Sequence, residues 1–176
     1  MQTQRRAARE LALNLLYQID LADLHLDEVV ETARESVSVE PEVFDFADKL
    51  ARGVRKERRK IDQIIKRLSK DWAISRQPIV DRNILRMAIF ELSMEDESTP
   101  IPVVVNEAVE MAKKFSTEDS GKFVNGVLGA YLREKGIAES LEETGEPSTP
   151  LGQRINHPLS GVEGDMNEDQ DDIQPH

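Results

Sequence analysis

From Arg5 to Asp23 the chain places Ala8, Leu11, Ala12, Leu15, Leu16 and Ile19 at offsets of 3, 4, 7, 8 and 11 residues, the spacing of one buried stripe on an α-helix. A second helix is predicted from Leu26 to about Val37, with Asp27 and Glu28 suited to the positive end of its dipole. Pro41 opens a third stretch in which Phe44, Ala47, Ala51, Val54, Ile61, Ile65 and Leu68 recur at three, four or seven residues. That stripe is flawed. Arg58 stands where an apolar residue is wanted, and Gly53 costs about 1 kcal/mol relative to alanine in a helix. A kink, or two helices, is expected there.

Asp71 to Pro78 reads as a linker, because proline disfavours helical geometry at the preceding residue and permits a fresh start. Ile79, Ile84, Leu85, Ala88, Ile89 and Leu92 form the next stripe, which ends before Glu95 to Pro100. Pro102 can open a further helix with Val105, Ala108, Val109 and Ala112 on its buried side, although Pro100 to Val105 is the one weak strand signal. Ser116 and Asp119 have capping-box spacing. The last helix carries Val124, Val127, Leu128, Tyr131 and Leu132 and stops near Gly136, and its Gly126 and Gly129 are expected to admit a close neighbour. Sustained helical periodicity with short connections predicts an all-α fold of two packed three-helix subdomains, about 1–70 and 76–138.

Charge adds a tail to this picture. Ten acidic residues between Glu139 and His176 face the single base Arg154, so this segment holds nine of the chain's eleven net negative charges. With scattered glycine and proline and few large apolar residues, 139–176 is expected to be disordered. The acidic balance thus describes the tail, and does not exclude RNA as a partner of the body. There is no cysteine, which removes disulfides, thiolate metal sites and thiol nucleophiles. No apolar run reaches the roughly 20 residues of a membrane span. Asn14, Gln18 and Asp20 interrupt the apolar run of the opening segment, so no signal peptide is assigned and a cytoplasmic protein is expected.

Candidate chemistry lies on surfaces. Arg6, Leu13 and Tyr17 fall within about 40° of one another at 100° per residue, opposite the core stripe, with Arg5 and Arg9 flanking. Guanidinium groups pair with phosphate, and a ring stacks on an unpaired base. The same residues also suit a plain solvated helix end. Between Lys49 and Lys70 ten bases face only Glu57 and Asp62, which reads either as an electrostatic footprint for nucleic acid or as a wet helix face. Lys122 and Phe123 lie off the apolar stripe of the last helix, where they could face a ligand or pack half-buried. Gly121-Lys122 is no phosphate loop, since the pattern needs glycine where Ser116 stands. Asp165, Asn167 and Asp169 imitate a calcium loop, but Gln170 and His176 replace its glycine and glutamate. No catalytic constellation, metal or cofactor is expected.

Two blocks carry a resemblance. Arg5-Arg6-Ala7-Ala8-Arg9-Glu10-Leu11-Ala12 with Leu16-Tyr17, and Val105-Asn106-Glu107-Ala108 through Phe115 to Asp119-Ser120 and Lys122-Phe123-Val124-Asn125-Gly126-Val127-Leu128, resemble the bacterial NusB transcription antitermination factors. Ile84 to Leu92 is similar to the same family, and the likeness spans roughly residues 4 to 134. It implies a non-enzymatic adaptor that binds single-stranded boxA-type RNA of ribosomal RNA leaders together with the ribosomal protein NusE, in an antitermination complex on RNA polymerase. By motif position it assigns RNA contacts to Arg5, Arg6, Arg9, Tyr17, Asp119, Lys122 and Phe123, and the protein partner to Asp81. Asp119 would either accept hydrogen bonds from RNA or orient Lys122. Two other readings stand beside it: a module associated with a ribosomal RNA methyltransferase, and a structural homo-oligomer, such as a homodimer, that hides the RNA face.

Overall fold

The computed structural model describes residues 2–69, 72–94 and 99–137, and these are helical almost throughout. In chain order they form α1 (Gln2–Ala22), α2 (Leu26–Ser36), α3 (Pro41–Leu68), a short 3-10 turn (Ile74–Arg76), α4 (Ile79–Ser93), α5 (Ile101–Phe115) and α6 (Glu118–Glu134). Among the described residues there is no strand, and Pro100 to Val105 belongs to the start of α5. The expectations for 139–176, including the rejected calcium loop, lie outside the described residues.

Helices α1 to α3 make one three-helix half and α4 to α6 the other. The halves share a single core. α4 packs against α1, α3, α5 and α6, so it belongs to both halves. Ile84, Leu85, Met87, Ala88 and Ile89 are all buried, as expected of a helix surrounded by neighbours. Asp81, Asn83, Arg86 and Glu91 on the same helix are buried too. Each therefore needs partners inside the protein, because a buried charge without one is costly.

Arg86 meets that need with its whole fork. Nε and Nη2 donate to the two oxygens of Asp62 in α3 at 2.7 and 2.8 Å, while Nη1 donates to Asp20 of α1 at 2.6 Å and to Asn83 at 2.9 Å. Arg58 lies 3.4 Å from Asp20 and 3.7 Å from Asp62, which explains a base at an apolar register position. Nearby, burial and the charge of Arg86 lower the pKa of Arg82.

The expected break in the third stretch does not occur, since α3 runs unbroken for 28 residues. Gly53 serves packing instead. A Cβ built on it would stand 1.9 Å from Cζ of Phe90, so only glycine lets the α4 ring lie against the α3 backbone. The same correction applies to α6. Nothing approaches Gly126, and Gly129 meets only Arg133 of its own helix, whereas a Cβ on Gly121 would fall 2.7 Å from Cγ of Lys113 in α5. The cap also shifts by one residue. Thr117, not Ser116, accepts the Ser120 amide at 3.0 Å.

Candidate nucleic-acid interface

The opening turns of α1 separate three arginines that sequence grouped together. Arg6 is exposed and its Nε donates to Glu107 of α5 at 2.9 Å. Arg5 is half-buried, its guanidinium 3.9 Å from the centre of the Phe46 ring. Arg9 is 3% exposed, with Nε and Nη2 donating to both oxygens of the buried Glu91 at 2.9 and 2.6 Å. The expectation of a surface contact for Arg9 is corrected accordingly: the helix turns it inward against α4, where it ties two helices together. Leu13 is likewise buried rather than outward-facing.

Further along α1, Tyr17 is half-buried and lines a shallow cavity of about 300 Å³ with Glu10, Leu13, Asn14, Val80 and Phe115. The ion pairs Arg6 to Glu107 and Lys114 to Glu10, the latter at 2.8 Å, link the surfaces of α1 and α5. Phe115 is 41% exposed and carries the Lys114 ammonium 4.8 Å from its ring centre. Sequence reading included Phe115 in a motif but gave it no role.

Asp81 does not reach the surface. It is fully buried, and its Oδ2 accepts the Ser120 hydroxyl at 2.7 Å. Ser120 in turn lies 3.0 Å from the Ser116 hydroxyl and 2.9 Å from that of Thr117. The direct partner contact expected of Asp81 is therefore replaced by a fastening of the start of α4 to the start of α6. From that fixed turn α6 projects Asp119 and Lys122, both well exposed and 3.1 Å apart. Phe123 is half-buried and meets Trp72 edge to face, with ring centres 4.7 Å apart and planes at 62°. Trp72 was missed from sequence. Its signal was a lone tryptophan in a segment without a helical stripe.

Each of the exposed cations Arg6, Lys114 and Lys122 is thus covered by one carboxylate. Such surface pairs contribute about 0–1 kcal/mol, so a phosphate can displace the carboxylate at little cost. Exposed rings beside exchangeable cations are what an unpaired strand requires. Among the described residues no group of His, Cys, Asp or Glu is placed to hold a metal ion, and no helix is long and apolar enough to cross a membrane.

These features define a helical binding module whose inner charges lock helices together while its outer cations and rings stay available. Residues 6–133 match the NusB family. The chain belongs to that family of transcription antitermination factors, which are not enzymes. It is 47% identical over 129 residues to the transcription antitermination protein NusB of Anaeromyxobacter dehalogenans, covering 73% of this chain and 89% of that one. Among solved structures, NusB of T. maritima is 34% identical with a TM-score of 0.64, covering 77% of this chain and 90% of that one. A crystal structure of antitermination factors NusB and NusE in complex with double-stranded RNA is similar at 31% identity and a TM-score of 0.66, covering 80% of this chain and 99% of its counterpart.

Proposed function

We propose that this protein is a cytoplasmic adaptor that binds boxA-type RNA from ribosomal RNA leaders together with NusE, within an antitermination complex on RNA polymerase. The observation that carries the reading is the exposed cations Arg6 and Lys122 with the half-buried Phe123 against the exposed Trp72, held by buried fastenings on α1, α4 and α6. The solved relative bound to both NusE and RNA supports the choice of partners. Arg5, Arg6 and Lys122 meet phosphate, Tyr17 and Phe123 offer ring faces to unpaired bases, and Asp119 orients Lys122 at 3.1 Å. Arg9 and Asp81 act from below the surface by fixing α1 and α6.

Fluorescence anisotropy with leader RNA and a scrambled control, each with and without NusE, tests this. The leader sequence binds more tightly than the control, and NusE tightens it further. Phe123→Ala weakens leader binding by about 1–3 kcal/mol, roughly 5- to 150-fold. Equal affinity for both RNAs, or unchanged binding after Phe123→Ala and Arg6→Glu, overturns the reading.

A further inference from the structure

The basic stretch of α3 divides into two populations. Arg52, Arg55, Arg58 and Arg67 are taken up by carboxylates: Asp27 and Asp48 hold Arg52, Asp20 lies near Arg55 and Arg58, and Glu134 binds Arg67. The Asp27 hydrogen bond raises the pKa of Arg52. Lys56, Arg59, Lys60 and Lys66 are exposed and have no acidic partner among the described residues.

At 100° per residue these four share an arc of about 120° with Gln63 and Arg67, and Lys56 to Lys66 spans about 15 Å of helix. Glu57 and Asp62, the two acids of this stretch, fall outside the arc, and Asp62 is committed to Arg86. Lys56 repels Arg59 and Lys60 across single turns, at a cost of a few tenths of a kcal/mol per pair. Only Lys66, in the last turn, is favoured there by the helix dipole. Lysine and arginine suit any solvent-facing helical position, so it is their concentration on one arc, and not their presence in the helix, that marks this face.

We propose that this face of α3 is a second RNA contact, a cationic rail for the sugar-phosphate backbone of RNA continuing beyond the strand held at α1 and α6. The proposal rests on the RNA-binding reading above. The arc contains no apolar residue, so it lacks the buried anchor that a protein partner needs. The same lack disfavours a membrane, since an interfacial helix inserts an apolar face. A polyanion bound through charge and counterion release requires no such anchor.

The test compares a leader RNA of about 12 nucleotides with the same RNA extended to about 30, in the full chain without NusE. If about three rail cations meet phosphate, the extended RNA binds with a log-log salt slope steeper by about 2, so its advantage shrinks roughly 16-fold between 50 and 200 mM salt. Replacing Lys56, Arg59, Lys60 and Lys66 together with glutamine removes that advantage and leaves the short RNA unaffected. Exchanging lysine and arginine at the same four positions preserves it, and circular dichroism checks that both variants fold. The proposal is overturned if the wild type gains nothing from the extension, if the glutamine variant keeps the gain, or if that variant weakens both RNAs equally. It is also overturned if poly-glutamate competes as well as RNA for the rail, which would assign it to acidic proteins. Failure of the wild type to bind the short RNA is a different result, and sinks the reading of α1 and α6 itself.

Discussion

Removing the Arg9 guanidinium separates a structural role from an RNA contact, because the two predict opposite pairs of results. Both side chains of the Arg9 and Glu91 pair are 4% exposed, and two hydrogen bonds join them. Arg9→Met leaves the Glu91 carboxylate buried without its counter-charge, a defect that costs about 3–5 kcal/mol. That is a large share of the roughly 5–15 kcal/mol by which a domain of this kind is stable. At about 3–5 °C per kcal/mol the melting temperature falls by roughly 10–25 °C. Removing both charges, as Arg9→Met with Glu91→Leu, restores much of the loss, since a well-packed apolar pair replaces a buried ion pair at little net cost. Urea unfolding followed by circular dichroism gives the stabilities, and anisotropy below the transition gives RNA affinity. The double variant binds RNA like the wild type once folded. The reasoning is refuted if Arg9→Met costs less than about 1 kcal/mol while RNA binding collapses, for then Arg9 works at the surface.

Two further perturbations probe packing and protonation. Gly53→Ala gains about 1 kcal/mol in helix propensity but drives a methyl into the Phe90 ring, so unfolding shows a net loss of about 1–3 kcal/mol that Phe90→Leu relieves. Burial, and secondarily Glu134, raise the pKa of Tyr131 above its ordinary 10.0, so the folded state favours the neutral phenol. Its contribution to stability is complete below pH 10 and is lost as pH rises beyond that value, and Tyr131→Phe removes this part of the alkaline slope in urea midpoints.

Periodicity revealed the helices because each stripe is local, repeating within a few residues on one element. The partners of the polar residues were not local. Arg9 and Glu91 stand 82 positions apart and Asp81 and Ser120 stand 39 apart. Ala12, Leu13 and Leu16 stand three, four and seven residues after Arg9 and set it on the buried face, but nothing local indicates the distant glutamate that pairs with it. Gly53 misled for the same reason: propensity registers the missing side chain, while the ring that needs the space lies on another helix. The cap at Thr117 was missed by one residue, since Ser116 and Thr117 are both good caps and only backbone geometry distinguishes them. Motif position assigned Lys122 and Phe123 to an RNA-facing region, but the ring beside Phe123 comes from the linker, where Trp72 belongs to no periodic pattern.

The Arg86 fork also bears on how the molecule is made. Asp20 lies in the opening helix near Arg55 and Arg58 of α3, yet the buried cation that hydrogen-bonds it at 2.6 Å arrives 66 positions later, from a helix that ends at Ser93. While the nascent chain is shorter than that, the aspartates of α1 and α3 have only the partly exposed Arg55 and Arg58 of α3 as counter-charges and lack the buried fork of Arg86. Docking of α4 therefore completes the amino-terminal half, and truncation in the Trp72 to Pro78 linker is expected to yield a less stable fragment in which Asp20 keeps part of its water.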